Sequence, residues 1–281
     1  GYRAMFEAQG KNRMGILLWM SHPCWPSFVW DTYDYYFDQS GAYYGSKKGS
    51  EPLHIQWNPI TDNVEVVNYS GGDVIGLTAH IEILNLDGSK KWEKSATLSS
   101  REDSIETPIK IEYPSRLTPT HFLRLTLTRG SELISENFYL RGTKETTSSQ
   151  ELSRFLGGGH PSLGYNVSAI RSLPQARVEA SSTVAEEHGT WFLTTELHNA
   201  SNTPALMVRV KAVREKSGDR ILPAISSDNY VALMPGERRT IRTELENADT
   251  RGERPRIVIE GFNVREPTVP TAATESSGQG Q

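Results

Sequence analysis

The sequence has little of what would tie it to a redox, nucleic-acid or membrane role. One cysteine, Cys24, stands in 281 residues, which excludes an internal disulfide framework and any zinc site built from several thiolates. A surplus of one charge is missing too. The 30 Lys and Arg face 34 Asp and Glu with the signs interspersed, so no basic face is available to neutralise phosphates, and nucleic acid is not an expected partner. Long apolar runs are absent. The longest candidate, Gly15 to Met20, is strand-sized and far short of the ~20 residues a membrane-spanning helix needs. A signal-peptide pattern is absent as well: the chain opens on Gly1 and reads through Tyr2-Arg-Ala-Met-Phe-Glu-Ala as the middle of a helix. The expectation is a piece of a longer protein.

What is present divides into zones. Residues 1–52 hold a short helical stretch, the run Gly15-Ile-Leu-Leu-Trp19-Met20 and an aromatic segment with Trp25, Trp30, Tyr33, Tyr35, Tyr36 and Phe37 around Asp31, Asp34 and Asp38. The run is apolar on both faces, as a strand buried in a parallel sheet or barrel must be. Residues 53–142 change to short alternating runs broken by Gly, Pro, Asn and Asp, the pattern of an antiparallel sandwich. Seven strands are predicted: Leu53 to Trp57, Val64 to Asn68, Leu77 to Leu84, Lys91 to Leu98, Ile105 to Tyr113, Phe122 to Thr128 and Ser135 to Leu140. Asp87-Gly88 suits a type I′ hairpin turn. Residues 143–175 are rich in Ser, Thr, Gly and Pro and read as a linker. Residues 176–264 repeat the β pattern, Leu206, Val208 and Val210 alternating with Met207, Arg209 and Lys211. There Met234-Pro-Gly-Glu237 fits a tight loop between paired strands. The tail 265–281 has too few large apolar residues to offset its ordering entropy and is expected to be disordered. The fold class is therefore mainly β, two sandwiches behind a segment whose own core lies elsewhere.

Five segments taken together carry a resemblance: Gly15-Ile-Leu-Leu-Trp19-Met, Trp25-Pro-Ser27, Tyr33-Asp-Tyr-Tyr36, Gly45-Ser-Lys-Lys48 and Glu51-Pro-Leu-His-Ile-Gln56. In order and spacing they resemble the end of the catalytic barrel and the domain junction of glycoside hydrolase family 2, in its exo-β-D-glucosaminidase and β-mannosidase-like branch. Ser172-Leu-Pro-Gln-Ala176, Ser227-Asp-Asn-Tyr230 and Leu233-Met-Pro-Gly-Glu237 resemble the C-terminal immunoglobulin-like domain of the same enzymes. The resemblance implies the last strand and helix of a (β/α)8 barrel followed by two immunoglobulin-like β-sandwiches. It also implies a retaining β-glycosidase whose two carboxyl groups sit on earlier strands, in an upstream barrel of the same parent chain. The partner is then a β-linked carbohydrate, no cofactor or metal is called for, and the parent enzyme is expected to be secreted or periplasmic.

No catalytic residue is expected within the chain. Trp19 closes the apolar strand, and barrel active sites form at the C-terminal ends of strands, so Trp19 is the residue placed to stack on a pyranose. His22 and Trp25, in the loop after it, are the further substrate-binding candidates. Cys24 reads as a small apolar filler, Asp34 as the cap of a following helix, Lys47 and Lys48 as solvated or paired, and Asp228-Asn229-Tyr230 as a structural bend. The sandwich tryptophans are Trp57, Trp92 and Trp191. If they stood exposed on a sheet face, a carbohydrate-binding module would be the alternative reading. The Asn-x-Ser sequons at Asn68, Asn166 and Asn199 matter only in a eukaryotic secretory protein.

Overall fold

A computed structural model of the chain describes residues 20–27, 31–59, 61–144 and 165–265. Trp19, Trp30, the strand expected over Gly15 to Met20, the helix before it, the centre of the linker and the tail lie outside the described residues. The chain forms two compact units, one of residues 1–16 and 46–173, the other of residues 17–45 and 174–281.

In the first unit all seven predicted strands are present: β1 (Leu53–Asn58), β2 (Asn63–Asn68), β3 (Val74–Asn85), β4 (Lys90–Ser100), β5 (Ser104–Lys110), β6 (His121–Arg129) and β7 (Glu132–Arg141). They form a three-stranded sheet β1-β2-β5 and a four-stranded sheet β4-β3-β6-β7. Ile55, Trp57, Val64 and Val66 from one sheet meet Leu77, Ala79, Ile81, Ile83, Leu123, Leu125 and Leu127 from the other. Alternation from Leu77 to Ile83 on β3 and from Leu123 to Thr128 on β6 places every second side chain there in this core. Where β1 and β7 meet at the sheet edges, side chains replace a ladder. Ser135 Oγ accepts from the Ile55 N–H at 3.2 Å, Asn137 Nδ2 donates to the Ile55 carbonyl at 2.6 Å, and Tyr139 OH accepts from the Trp57 N–H at 3.3 Å. The period-two spacing of Ser135, Asn137 and Tyr139 is what puts all three on one face of β7.

The β3–β4 hairpin departs from expectation. The Gly88 N–H bonds to the Asn85 carbonyl at 2.9 Å and only Gly88 has positive φ, at 85°. The turn therefore spans Leu86 to Gly88, and Asp87 serves through its carboxylate, which accepts from the Ser89 N–H and hydroxyl, rather than through the backbone form of a type I′ turn. At the same end of the sandwich, Asp62 Oδ1 accepts from Trp57 Nε1 at 3.2 Å, Tyr113 OH at 2.9 Å and Arg141 at 2.8 Å. The Arg141 guanidinium lies over the rings of Trp57 and Tyr113, 4.8 and 4.5 Å from their centroids. After β7, two-residue strands β8 (Thr143–Lys144) and β9 (Tyr165–Asn166) pair antiparallel inside the span expected as linker.

The second unit holds β10 (Val178–Glu187), β11 (Thr190–Asn199), β12 (Ala205–Arg214), β13 (Ile225–Ser226), β14 (Val231–Leu233), β15 (Arg238–Glu246) and β16 (Pro255–Glu260). Its sheets are β10-β11-β15-β13 and β14-β12-β16. Leu193, Leu197, Ile241 and Leu245 face Val208, Val210, Ile257 and Ile259 across the core. The Met234 to Glu237 turn is tight, with Pro235 followed by Gly236 at φ 80°, but β14 and β15 belong to different sheets. The turn crosses the sandwich instead of joining paired strands. Asn199 ends β11 there: Nδ2 donates to the carbonyls of Thr203 and Leu233 at 2.8 and 2.9 Å, and Oδ1 accepts from the Ser201 N–H and hydroxyl.

Two outcomes follow from these contacts. Asn199→Ala strands two carbonyls in a fully buried seam and should destabilise the second unit by about 2 kcal/mol, read by denaturant unfolding. For Asp62, burial pulls the carboxyl pKa up, but the hydrogen bonds from Arg141 and Tyr113 outweigh it and hold the group below the ordinary carboxylate range. Its contribution is complete above the unfolded pKa of about 3.9 and is lost as pH falls through the lower folded value. Asp62→Asn should therefore lower the first unit's stability at pH 7 by about 1 kcal/mol, a modest figure because the site is partly solvated. The gap to wild type should narrow in urea titrations as pH falls below about 4.

Candidate functional site

Residues 20–45 belong to the second unit. The segment folds around a short hairpin in which Tyr33 and Gln39 form an antiparallel bridge. The Asp34 N–H bonds to the Asp38 carbonyl at 2.9 Å, and the Phe37 N–H to the Asp34 carbonyl at 3.0 Å. Asp34 Oδ1 fills the turn, accepting from the N–H groups of Tyr36 at 2.8 Å and Asp38 at 3.0 Å. Asp34 is thus the cap of a turn and not of a helix. The helix α1 (Gly41–Gly49) starts later, with Ser40 Oγ accepting from the Ala42 N–H at 3.2 Å.

The turn pushes three rings outward, and Tyr35, Tyr36 and Phe37 are all exposed. Phe37 takes positive φ, 64°, which turns its ring toward the preceding loop. His22 lies on that ring, centroids 4.4 Å apart and planes 17° from parallel, with the Tyr35 ring 6.4 Å away at 22°. One nitrogen of the imidazole, Nε2, is 3.2 Å from the Tyr35 carbonyl, so the His22 tautomer that donates there fixes the stack. The Ser21 carbonyl accepts from the Tyr33 N–H and the Thr32 hydroxyl, which ties the loop after the expected strand to the hairpin. Trp25 is 67% exposed. The result is an outward aromatic surface.

Of the three sequence candidates, His22 joins this surface, Trp25 stands exposed in the same loop, and Trp19 lies outside the described residues. Cys24 is exposed, so it fills no core. Lys48 pairs with Glu136 at 3.7 Å.

On its inner side the segment is held by contacts the sequence did not bring together, made by Asp38, Arg209 and Arg220 and by the Asn229-Tyr230 bend. Asp38 Oδ2 accepts from the guanidinium groups of both Arg209, on β12, and Arg220, in the connection after it. Arg209 lies over the Tyr230 ring, 5.3 Å from its centroid, and Tyr230 OH donates to the Gln39 carbonyl at 3.3 Å. The preceding residue, Asn229, imitates a strand by exchanging both hydrogen bonds with the Val210 backbone. Tyr230 then takes left-handed φ, 56°. Tyr44 is buried beside it, and that burial pushes its phenol up to about 12.

Two clusters elsewhere imitate reactive sites. Glu51 Oε2 accepts from Ser135 Oγ at 2.5 Å and lies 2.9 Å from His54 Nδ1, while His54 Nε2 meets Asn137 Nδ2 at 3.1 Å. The serine hydroxyl donates to the carboxylate rather than to His54 Nδ1, which is 3.4 Å away, and the second imidazole nitrogen faces Asn137, so the three are not lined up as a serine–histidine–acid triad. His80, Glu82 and Glu93 bring three ligand atoms within 4.8 Å of one another. The Lys90 ammonium, 3.3 Å from Glu82 and 2.8 Å from Glu93, already supplies the cation there. The sandwich tryptophans are turned inward: Trp57 is buried, and Trp92 and Trp191 pack against their cores.

Comparisons with known proteins agree with the sequence motifs. A family model described as the exo-β-D-glucosaminidase Ig-fold domain matches residues 164–264. The exo-β-D-glucosaminidase of Streptomyces avermitilis is 36% identical over 96% of this chain and 31% of its own length. That of Amycolatopsis orientalis is 34% identical over 99% of this chain and 28% of its own. The crystal structure of an Amycolatopsis orientalis exo-chitosanase matches with a TM-score of 0.84 at 32% identity, covering 96% of this chain and 32% of the other. The chain spans roughly a third of the length of these relatives. The likeness runs over nearly the whole chain, so the chain is similar to about a third of the length of the exo-β-D-glucosaminidases, with their Ig-fold domain over residues 164–264.

Proposed function

We propose that the chain works as the sandwich-bearing part of a retaining β-glycosidase of exo-β-D-glucosaminidase type. In this reading an upstream (β/α)8 barrel of the same protein carries the chemistry, and residues 1–52 close that barrel. The single observation that carries the reading is the 36% identity over 96% of the chain to an enzyme of that name. Retaining enzymes need a nucleophile and an acid/base with carboxyl groups about 5 Å apart. Two of the three carboxylates of the aromatic segment are engaged otherwise, while Asp31 is buried with neither oxygen hydrogen-bonded among the described residues. Asp34 closes the turn and Asp38 takes two guanidinium groups. The part left to this chain is to bind and orient the sugar, with Trp19 at the innermost position and His22 and Trp25 toward the rim.

Expressed by itself, the chain should show no turnover of p-nitrophenyl β-glucosaminide or β-mannoside above buffer. Hydrolysis abolished by substituting an acid within residues 1–52 would overturn that assignment of roles.

In the whole enzyme, Trp19→Ala should lower kcat/KM about a hundredfold, equivalent to roughly 3 kcal/mol of transition-state stabilisation, with kcat falling too. Stacking on a ring that flattens toward an oxocarbenium-like state strengthens as the reaction proceeds. A folded Trp19→Ala enzyme with wild-type kcat and KM would place Trp19 in the core. Trp25→Ala, at the rim, should raise KM several-fold with kcat nearly unchanged.

A further inference from the structure

We propose that Arg209, Arg220 and Tyr230 are positioning residues for the sugar-facing loop, so that the second sandwich sets the shape of a surface it does not itself contribute. The inference rests on the reading of residues 20–40 as the loop that meets the sugar.

The argument follows one chain of contacts. Two guanidiniums and one phenol from the sandwich grip two consecutive residues: Arg209 and Arg220 the side chain of Asp38, and Tyr230 the main-chain carbonyl of Gln39. The Asp38 N–H then bonds to Asp34 Oδ1, and the same oxygen takes the Tyr36 N–H. Arg220 also lies 3.8 Å from the other Asp34 oxygen. Where Asp38 sits therefore decides how the turn closes, and the turn decides where Tyr35 and Phe37 stand against His22. The Asp38 side chain is only 14% exposed, so without the arginines its charge is left largely desolvated, and the turn must open to bring it to water. The sandwich core has no stake in this. It is built from Val208, Val210, Ile221 and their neighbours, while Arg209 alternates to the opposite face of β12.

The test pairs exchange on this chain with kinetics on the whole enzyme. In the chain, Arg209→Met with Arg220→Met should speed hydrogen exchange of the Asp34, Phe37, Asp38 and Ser40 amides at least about tenfold, leaving the β11–β15 amides unchanged. Lysines at both positions should restore part of the protection. Lys211→Met, on the same strand and paired with Glu260 at 2.6 Å, is the control and should leave the loop amides unaffected. In the whole enzyme the double variant should lose about tenfold or more in kcat/KM on p-nitrophenyl β-glucosaminide, again with partial recovery by lysine. Unchanged exchange in the loop overturns the proposal, and so does a loosened loop with wild-type kcat and KM. A wild-type enzyme without glycosidase activity would instead sink the functional reading, and the exchange measurement would still decide whether the arginines hold the loop.

Discussion

Backbone groups at the ends of strands cannot be left bare in a buried seam, and in both units asparagine amides supply what the ladders do not. Asn199 and Asn68 each close a strand end by donating to two carbonyls and accepting from a serine two residues on. Asn137 bridges the open edges of the first sandwich, and Asn229 stands in for a strand beside Val210. Asn263 reaches the carbonyls of Pro174 and Pro204 and the Leu206 N–H. The apolar cores supply the driving force. These amides decide where each sheet stops, and the loops depart from those points.

The same device in anionic form shapes the aromatic segment. A carboxylate inside a turn organises main-chain donors as an asparagine would, but it also carries charge that needs an answer. Asp34 acts mainly through the turn, and Asp38 hands the charge to Arg209 and Arg220. Electrostatics thereby fixes a loop that is short of apolar anchors, since its largest rings point outward.

The β pattern was legible because burial on one side of a sheet writes itself into alternation, as Leu123, Leu125 and Leu127 show. Turn details were less so. Asp87-Gly88 has the composition of a type I′ turn, but the Asp87 carboxylate can satisfy Ser89 without positive φ, and sequence does not choose between the two. At Met234 to Glu237 the local chain looks alike whether a tight turn joins paired strands or crosses between sheets. His22 and Trp25 were singled out as candidates through their place after an apolar run. Asp38, Arg209 and Arg220 were not, because the partners lie 171 and 182 positions apart and each alone reads as an ordinary surface charge.

The turns at Asn68 and Asn199 carry a consequence for biosynthesis. Both are Asn-x-Ser triplets, which a eukaryotic secretory pathway treats as glycan acceptors, and in both the amide nitrogen that would take the glycan is the one that donates to two backbone carbonyls. Asn166, in the third triplet, is exposed, and among the described residues its side chain acts through the amide oxygen, accepting from the Ser168 N–H and hydroxyl. In a secretory host, then, glycan attachment and closure of the sheets compete for the same nitrogen at Asn68 and Asn199. Only molecules in which folding wins that race can complete both sandwiches.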